Sequence, residues 1–317
     1  MDRNLILKGP AVVIRGGHTY FTRSEITVKA NKETYSIPSN LLGSAGKRIT
    51  SKSFTVSFVP QGMLDSVAAY FPWTQANIGA SIFGATDTTL VIHTLSGRKL
   101  TFAASGNLGV RTVHCGTDAT ALGEMSFLCL GKLDTADSTA DSRVKVEEAV
   151  FEATGYDRAK IRTPGYQATL VVGTGGTAVT IVMQGLEGFD INIEPSFDPD
   201  SVNAYGLVGE TFSEIAASAL FKPCNMTEAG VLGLLNLQGA GCQEIGDDLG
   251  PADATLTIAP INVAAKGVTA VLYGVGAQEA EFKFGLKQKR VQGVRFDASP
   301  ILDTVFKLFS IAFPTWT

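Results

Sequence analysis

The chain has 317 residues, enough for two domains of ordinary size that each bury a core. Only 18% of residues are charged and 34 are glycine, a balance that favours many turns and closely packed strands over long solvated helices. The net charge is −4, and no run of 18 apolar residues offers a membrane-spanning helix.

The charge is unevenly divided, at +2 over residues 1–158 and −6 over residues 159–317. The opening MDRNLILKGP is too short, and too soon broken by Pro10, to read as a signal peptide. Cys115, Cys129, Cys224 and Cys242 show no metal-binding spacing, so free, mostly buried thiols in a reducing compartment are expected.

In chain order, Ala11–Ile14 and Thr19–Thr22 flank Gly16-Gly17 and predict a hairpin. Glu25–Asn31 alternates Ile26, Val28 and Ala30 against polar neighbours, as a half-covered strand does. A long polar loop is expected over Glu33–Lys47. The strand Ser53–Phe58 alternates Phe54, Val56 and Phe58 with Ser53, Thr55 and Ser57, and Pro60 ends it. Met63–Phe71 has helical spacing and Pro72 stops it. Strands follow at Thr88–Thr94, Lys99–Ala104, Val110–His114 and Glu124–Leu130, and Lys145–Thr154 is a helix candidate. Strands are next expected at Ala168–Val172, Ala178–Met183 and Phe189–Glu194, then a long acidic loop over Phe197–Gly209. A strand Ala217–Pro223, a helix Met226–Asn236, strands at Pro251–Ile258, Val268–Tyr273 and Ala280–Leu286, and a closing helix Ile301–Ile311 complete the pattern. The fold class is β-rich α+β.

These elements repeat at an offset of about 165 residues. Ile26–Ala30 matches Ile191–Pro195, Phe58-Val-Pro60 matches Phe221-Lys-Pro223, and Ala85–Ile92 matches Pro251–Ile258. Glu124–Leu130 is aligned with Gln278–Leu286, and Val150-Phe151 with Val305-Phe306. Matches in one order at nearly constant spacing indicate a tandem duplication, with domains at residues 1–158 and 159–317.

Signals for chemistry are thin. His18, His93 and His114 show no grouping with a nucleophile and an orienting carboxylate, and although Cys115 follows His114, neighbours on a strand point to opposite faces. Gly173–Thr177 lacks the Lys-Ser/Thr of a phosphate loop, and Glu279 stands where a dinucleotide fingerprint needs its third glycine. Asp247-Asp248 reads as a solvated acid pair and Lys287–Arg290 as a short basic strand end. No enzyme activity, cofactor or metal is expected.

Lys8-Gly-Pro-Ala-Val-Val13, Tyr20-Phe-Thr-Arg23, Ile26-Thr-Val28, the long loop after it and Val56-Ser-Phe-Val-Pro60 resemble the tail tube proteins of tailed bacteriophages. So do Ile78–Gly84 and Leu90–Thr94. The resemblance covers nearly all of the first half and, through the repeat, the second half more loosely. It implies two tandem β-sandwich/barrel domains of the tail tube kind, each with a flanking helix. It further implies rings that stack through a long loop, and a virion structural protein assembled in the host cytoplasm without membrane insertion. Double-stranded DNA would pass through the lumen without sequence-specific binding. Tail terminator and distal tail or baseplate proteins would be partners. The usual ring holds six single domains, so a duplicated chain implies three. The alternatives are a distal tail or tube-end adaptor ring, and a β-rich host-adhesion or carbohydrate-binding protein.

With that resemblance, the polar alternate residues are expected to face the lumen: Glu25, Thr27, Lys29, Ser53, Thr55 and Ser57, then Asp190, Asn192, Glu194 and Ser218. Their apolar neighbours, from Ile26, Val28, Phe54 and Val56 to Ile191 and Ile193, are expected in the core. Residues 29–52 carry a balance of +4 and residues 194–214 a balance of −5. Contacts between rings are therefore expected at Lys47, Arg48 and Lys52 on one side and Asp198, Asp200, Glu210 and Glu214 on the other.

Overall fold

A computed structural model describes residues 10–40, 43–62, 66–84, 88–116, 122–131, 143–151, 164–173, 178–202, 206–224, 253–262, 267–285, 288–302 and 306–314. Strands are numbered along the chain. In the first half, β1 (Ala11–Arg15), β2 (His18–Phe21), β5 (Leu90–Thr94), β6 (Arg98–Phe102) and β10 (Val144–Glu148) form one antiparallel sheet in the order β2-β1-β5-β6-β10. The β1–β2 turn is the two-residue Gly16-Gly17, with φ of 58° and 80°; positive φ at both positions is what a type I′ hairpin needs. The second sheet has the order β3-β4-β9-β7, from β3 (Thr27–Ser39), β4 (Gly43–Phe58), β7 (Ser105–Val110) and β9 (Met125–Leu130).

These two sheets face each other as a sandwich. Tyr20 of the first sheet lies 5.9 Å, centroid to centroid, from both Phe58 and Phe127 of the second, and Phe54 meets Phe102 at 5.5 Å. A fully buried aromatic such as Phe58, Phe102 or Phe127 contributes roughly 1.5–3 kcal/mol over leaving it in water. The alternation read along Ser53–Phe58 is what aims Phe54, Val56 and Phe58 at this layer.

The second half repeats the arrangement. Strands β11 (Tyr166–Val172), β12 (Val179–Met183), β15 (Thr255–Pro260), β16 (Thr269–Tyr273) and β21 (Phe309–Ala312) lie in the order β12-β11-β15-β16-β21. Strands β13 (Gly185–Val202), β14 (Gly206–Pro223), β17 (Gly276–Gly285) and β18 (Gln288–Asp297) lie in the order β13-β14-β18-β17. Both orders are those of the first half. Equivalent residues also pack alike: Phe58 stacks on Phe127 at 6.1 Å and 27°, and Phe221 on Phe296 at 5.7 Å and 15°. Leu90 and Ile92 are buried, and so are Leu256 and Ile258.

Several expectations are corrected. Lys145–Thr154 is not a helix at its start, because Val144–Glu148 pairs along β6 as β10, with Glu148 bridging Arg98 at 2.9 Å. Ile301–Ile311 is not a closing helix either; it holds β19 (Ile301–Leu302), β20 (Phe306–Lys307) and the start of β21. Of the expected helix Met63–Phe71, the described residues form one 3-10 turn at Val67–Ala69. Residues 226–236 and the boundary at 158/159 lie outside the described residues. The loops expected over 33–47 and 197–209 are instead the ends of two long hairpins, β3–β4 and β13–β14. The counterpart of β9 is β18, not Gln278–Leu286, which overlaps β17, and Val150-Phe151 does not match β20 because β10 corresponds to β21.

The halves share one further element. Strand β8 (Thr112–Cys115) follows β7 directly, leaves the first half's sheet and pairs antiparallel with β13, extending the second half's sheet to five strands.

Candidate assembly surfaces

Antiparallel pairing decides which side chains share a face, since directly opposed residues point the same way. In the first half Thr27 lies opposite Ser57, Lys29 opposite Thr55 and Asn31 opposite Ser53. In the second half Asn192 lies opposite Ser218, with Asp190 and Glu194 two residues to either side. Each group therefore occupies one face of its hairpin, and Glu25 lies just ahead of β3. The opposite face carries Phe189, Ile191 and Ile193 in the core, with Val56; Ile26 and Phe54 are partly buried against it. Val28 departs from the expectation, being 40% exposed where its counterpart Ile191 is 1% exposed. Ser53 and Ser218 are buried although they belong to the polar faces. Over Ser53's neighbour Ser51 lies the tip of the second hairpin, whose Leu207 N–H donates to the Ser51 hydroxyl at 3.2 Å.

The outer part of β3–β4 is a two-stranded ribbon exposed on both sides, with Tyr35 58% and Ile49 56% exposed. An isolated two-stranded ribbon is marginal in water, so such an arm is stabilised by whatever covers it. Lys52 lies opposite Lys32 and Lys47 opposite Ser36, which places these three lysines on one face; Arg48, opposite Tyr35, is on the other. Lys52 also lies over the Phe54 ring at 5.2 Å. On β13–β14, Glu194, Asp198 and Asp200 share a face with Glu214, and all four are exposed. The Thr211 hydroxyl donates to Asp200 Oδ2 at 2.9 Å. Glu210 does not belong to this row. The register shift between Ser196 and Phe197, which passes over Ser213, leaves it opposite Pro199, partly buried, and burial first and Asp200 second push its carboxyl above the usual range.

The joint between the halves is built from β8 and β13. Phe189 opposes Cys115, Asp190 opposes His114, Ile191 opposes Val113 and Asn192 opposes Thr112. The backbone must come very close here: Gly188 has φ of 95°, and a Cβ on it would stand 2.8 Å from the Cys115 carbonyl oxygen. His114 Nδ1 and Asp190 Oδ1 are 2.5 Å apart at a partly exposed site. A second contact zone centres on Trp73, whose indole N–H donates to the Asn107 carbonyl at 2.7 Å. Its ring lies 5.0 Å from Phe212 and 5.5 Å from Phe197 of the second hairpin. Backbone bonds from Gly79 N–H to the Phe212 carbonyl and from Ile82 N–H to the Glu210 carbonyl continue the zone.

The histidines do not assemble with one another. His93 lies on β5 against Phe151, at 5.3 Å between rings, and His18 lies on β2 beside Tyr20 at 6.4 Å. Among the described residues no three His, Cys, Asp or Glu side chains gather as a metal site would require, and no helix is long and apolar enough to cross a membrane. Asp247-Asp248 and residues 174–177 lie outside the described residues.

Cys115 and Cys129 are free and buried, and burial pushes both thiols up to about 12, so almost no thiolate exists at neutral pH. Cys224 is free and exposed. Brief maleimide treatment of the native protein at pH 7.5 is expected to modify Cys224 and leave Cys115 and Cys129 unmodified until denaturant is added. Peptide mass mapping checks this, and native labelling of Cys115 would contradict the packing at the joint. Sequence reading overlooked two features of these surfaces. The role of β8 was hidden because Val110–His114 reads as a single strand of the first half, and that of Trp73 by its place beside Pro72, which suggested only the end of a helix. No family model matches the chain, and no curated protein matches it.

Proposed function

We propose that the chain is a virion structural protein, the tail tube subunit of a tailed bacteriophage, whose rings stack into a conduit for DNA. The observation that carries this reading is the repeated strand order of the two halves together with β8, which joins one half to the next edge to edge. A chain that already contains two like sandwiches joined through their sheets has the form of one third of a pseudo-sixfold ring. The duplication and the domain division at 1–158 and 159–317 belong to the same proposal.

In this reading the sheets holding β4 and β14 form the inner wall, with β8 counted as the continuation of β7. Three chains then supply about two dozen strands. At about 4.8 Å between strands and a tilt of about 40°, the wall closes at a backbone diameter of roughly 50 Å. Closure also removes the sheet edges that invite aggregation. The polar faces bearing Thr27, Lys29, Thr55, Ser57, Asp190, Asn192 and Glu194 line the bore, neutral to acidic in sum. A strongly basic lining would hold the passing duplex through counterion release.

Native mass spectrometry and negative-stain imaging of the purified protein test the proposal. The expected result is three-chain rings and, at higher concentration, tubes. A ring of six full chains would overturn the pseudo-sixfold arrangement, and a dispersed monomer at all concentrations would overturn the tube reading.

A further inference from the structure

Two sheets that carry the joint inside the chain each end in a strand whose outer side pairs with nothing among the described residues: β3 in the first half and β17 in the second. The internal joint shows what such edges do in this fold, and the register can be carried over through the partner strands, the first half having one residue more than β17 between the equivalent pairs. On one side, Val28 pairs with Val56, which in turn pairs with Phe127; Ile191 pairs with Ala219, which pairs with Phe296. Val28 therefore stands in the place of Ile191.

On the other side, Asn107 opposes Phe127, Leu108 is passed over, and Gly109 and Val110 oppose Ser126 and Met125. In β17, Ala277 opposes Phe296, Gln278 is passed over, and Glu279 and Ala280 oppose Arg295 and Val294. The irregularity recurs at the same step, so β17 begins as β7 does. Val113 then bridges Leu122 and Phe282 pairs with Val291, at the same distance ahead of Met125 and Val294. Phe282 stands in the place of Val113.

We propose that β3 of one copy pairs antiparallel with β17 of a second copy, with Val28 opposite Phe282. The same register sets Thr27 opposite Lys283, Ile26 opposite Phe284 and Lys29 opposite Glu281. The occupant of this edge is a second copy of the chain because the chain already makes the joint once, between Ile191 and Val113. Val28 gives independent support: its 40% exposure, against 1% for Ile191, marks an apolar side chain on an edge that lacks the cover its counterpart has. Opposite charges at Lys29 and Glu281 favour this register over its neighbours. The contact is heterologous, one edge meeting a different edge, so it generates a closed ring or an open helix and never an isolated twofold dimer. The number three rests on the tail tube reading; the pairing itself does not.

The test is the double variant Thr27→Cys with Lys283→Cys in a Cys224→Ser, Cys242→Ser background. Opposed residues in an antiparallel pair have Cα atoms about 4.5–5.5 Å apart, within disulfide range. On mild oxidation the full chain is expected to give a covalent ladder ending at three chains, and each single variant none. Rings that form without the crosslink would overturn this junction while leaving the ring reading intact. A ladder that runs beyond three would keep the junction and overturn three-chain closure. Absence of both rings and crosslinks would overturn both. A second measurement does not rely on disulfides. Lys29→Glu is expected to raise the concentration for half-assembly about two- to five-fold, and adding Glu281→Lys to restore it. Equal assembly by all three proteins would count against the register.

Discussion

Replacing Trp73 by alanine is expected to destabilise the protein by about 3–5 kcal/mol, the range for deleting a large buried aromatic. The indole fills the space between the first sandwich and the second hairpin, in contact with Phe197 and Phe212. Its removal also leaves the Asn107 carbonyl without its donor, while the Asn107 side chain goes on donating to the Ala69 carbonyl at 2.9 Å. Trp73→Phe keeps most of the volume and loses the hydrogen bond, so its cost should be about 1–2 kcal/mol. Urea titrations followed by circular dichroism give both values. An alanine variant with the wild-type midpoint would mean that the second hairpin is not held down at this point.

Reversing the charge of the first arm with Lys47→Glu and Arg48→Glu is expected to yield rings that no longer stack. Adding Asp198→Lys and Asp200→Lys is expected to recover tubes. The arm over residues 29–52 is basic and that over residues 194–214 acidic, so like arms in contact repel and unlike arms attract. A single exposed pair is worth about 0–1 kcal/mol. Several pairs repeated around a ring sum to a few kcal/mol per junction, enough to select one rotation between rings over its pseudo-symmetric alternative. Because these charges are exposed, wild-type tubes should shorten as salt rises. Sedimentation and electron microscopy read both effects. Normal tubes from the first variant at low salt would remove the arms from the stacking contact.

The sandwich cores were legible because their strands alternate cleanly. Phe58 and Phe221 lie where the repeat puts them, as do Leu90 and Leu256. The short charged run Val144–Glu148 was misread for a physical reason: Lys and Glu favour helix locally, but pairing along β6 and the bridge from Glu148 to Arg98 outweigh that preference. The arms looked like loops because both of their faces are exposed, so no apolar period marks them as strands. The alignment of β9 slipped because β7, the true counterpart of β17, is Ser-Gly-Asn-Leu-Gly-Val, a strand with two glycines and an irregularity at Leu108, and it carries no period-two signal. Among the surface residues, the alternation placed Asp190, Asn192 and Glu194 on one face, and the pairing of β13 with β14 adds Asp198 and Asp200, which were expected in a loop. Glu210 escaped that logic because the irregularity at Ser213 changes which side of the hairpin it joins.

The covalent joint through β8 has a consequence for how a ring would be built. In a ring of three chains, half of the sheet-to-sheet junctions form while each chain folds, and only the other half wait for an encounter between molecules. Each encounter costs translational and rotational freedom, so tethering the halves lowers the protein concentration at which rings first appear. It also frees the two kinds of junction from having the same sequence: Asp190 and His114 meet inside the chain, and Thr27 and Lys283 hold the equivalent positions outside it. One junction can then be tuned for permanence and the other for timing.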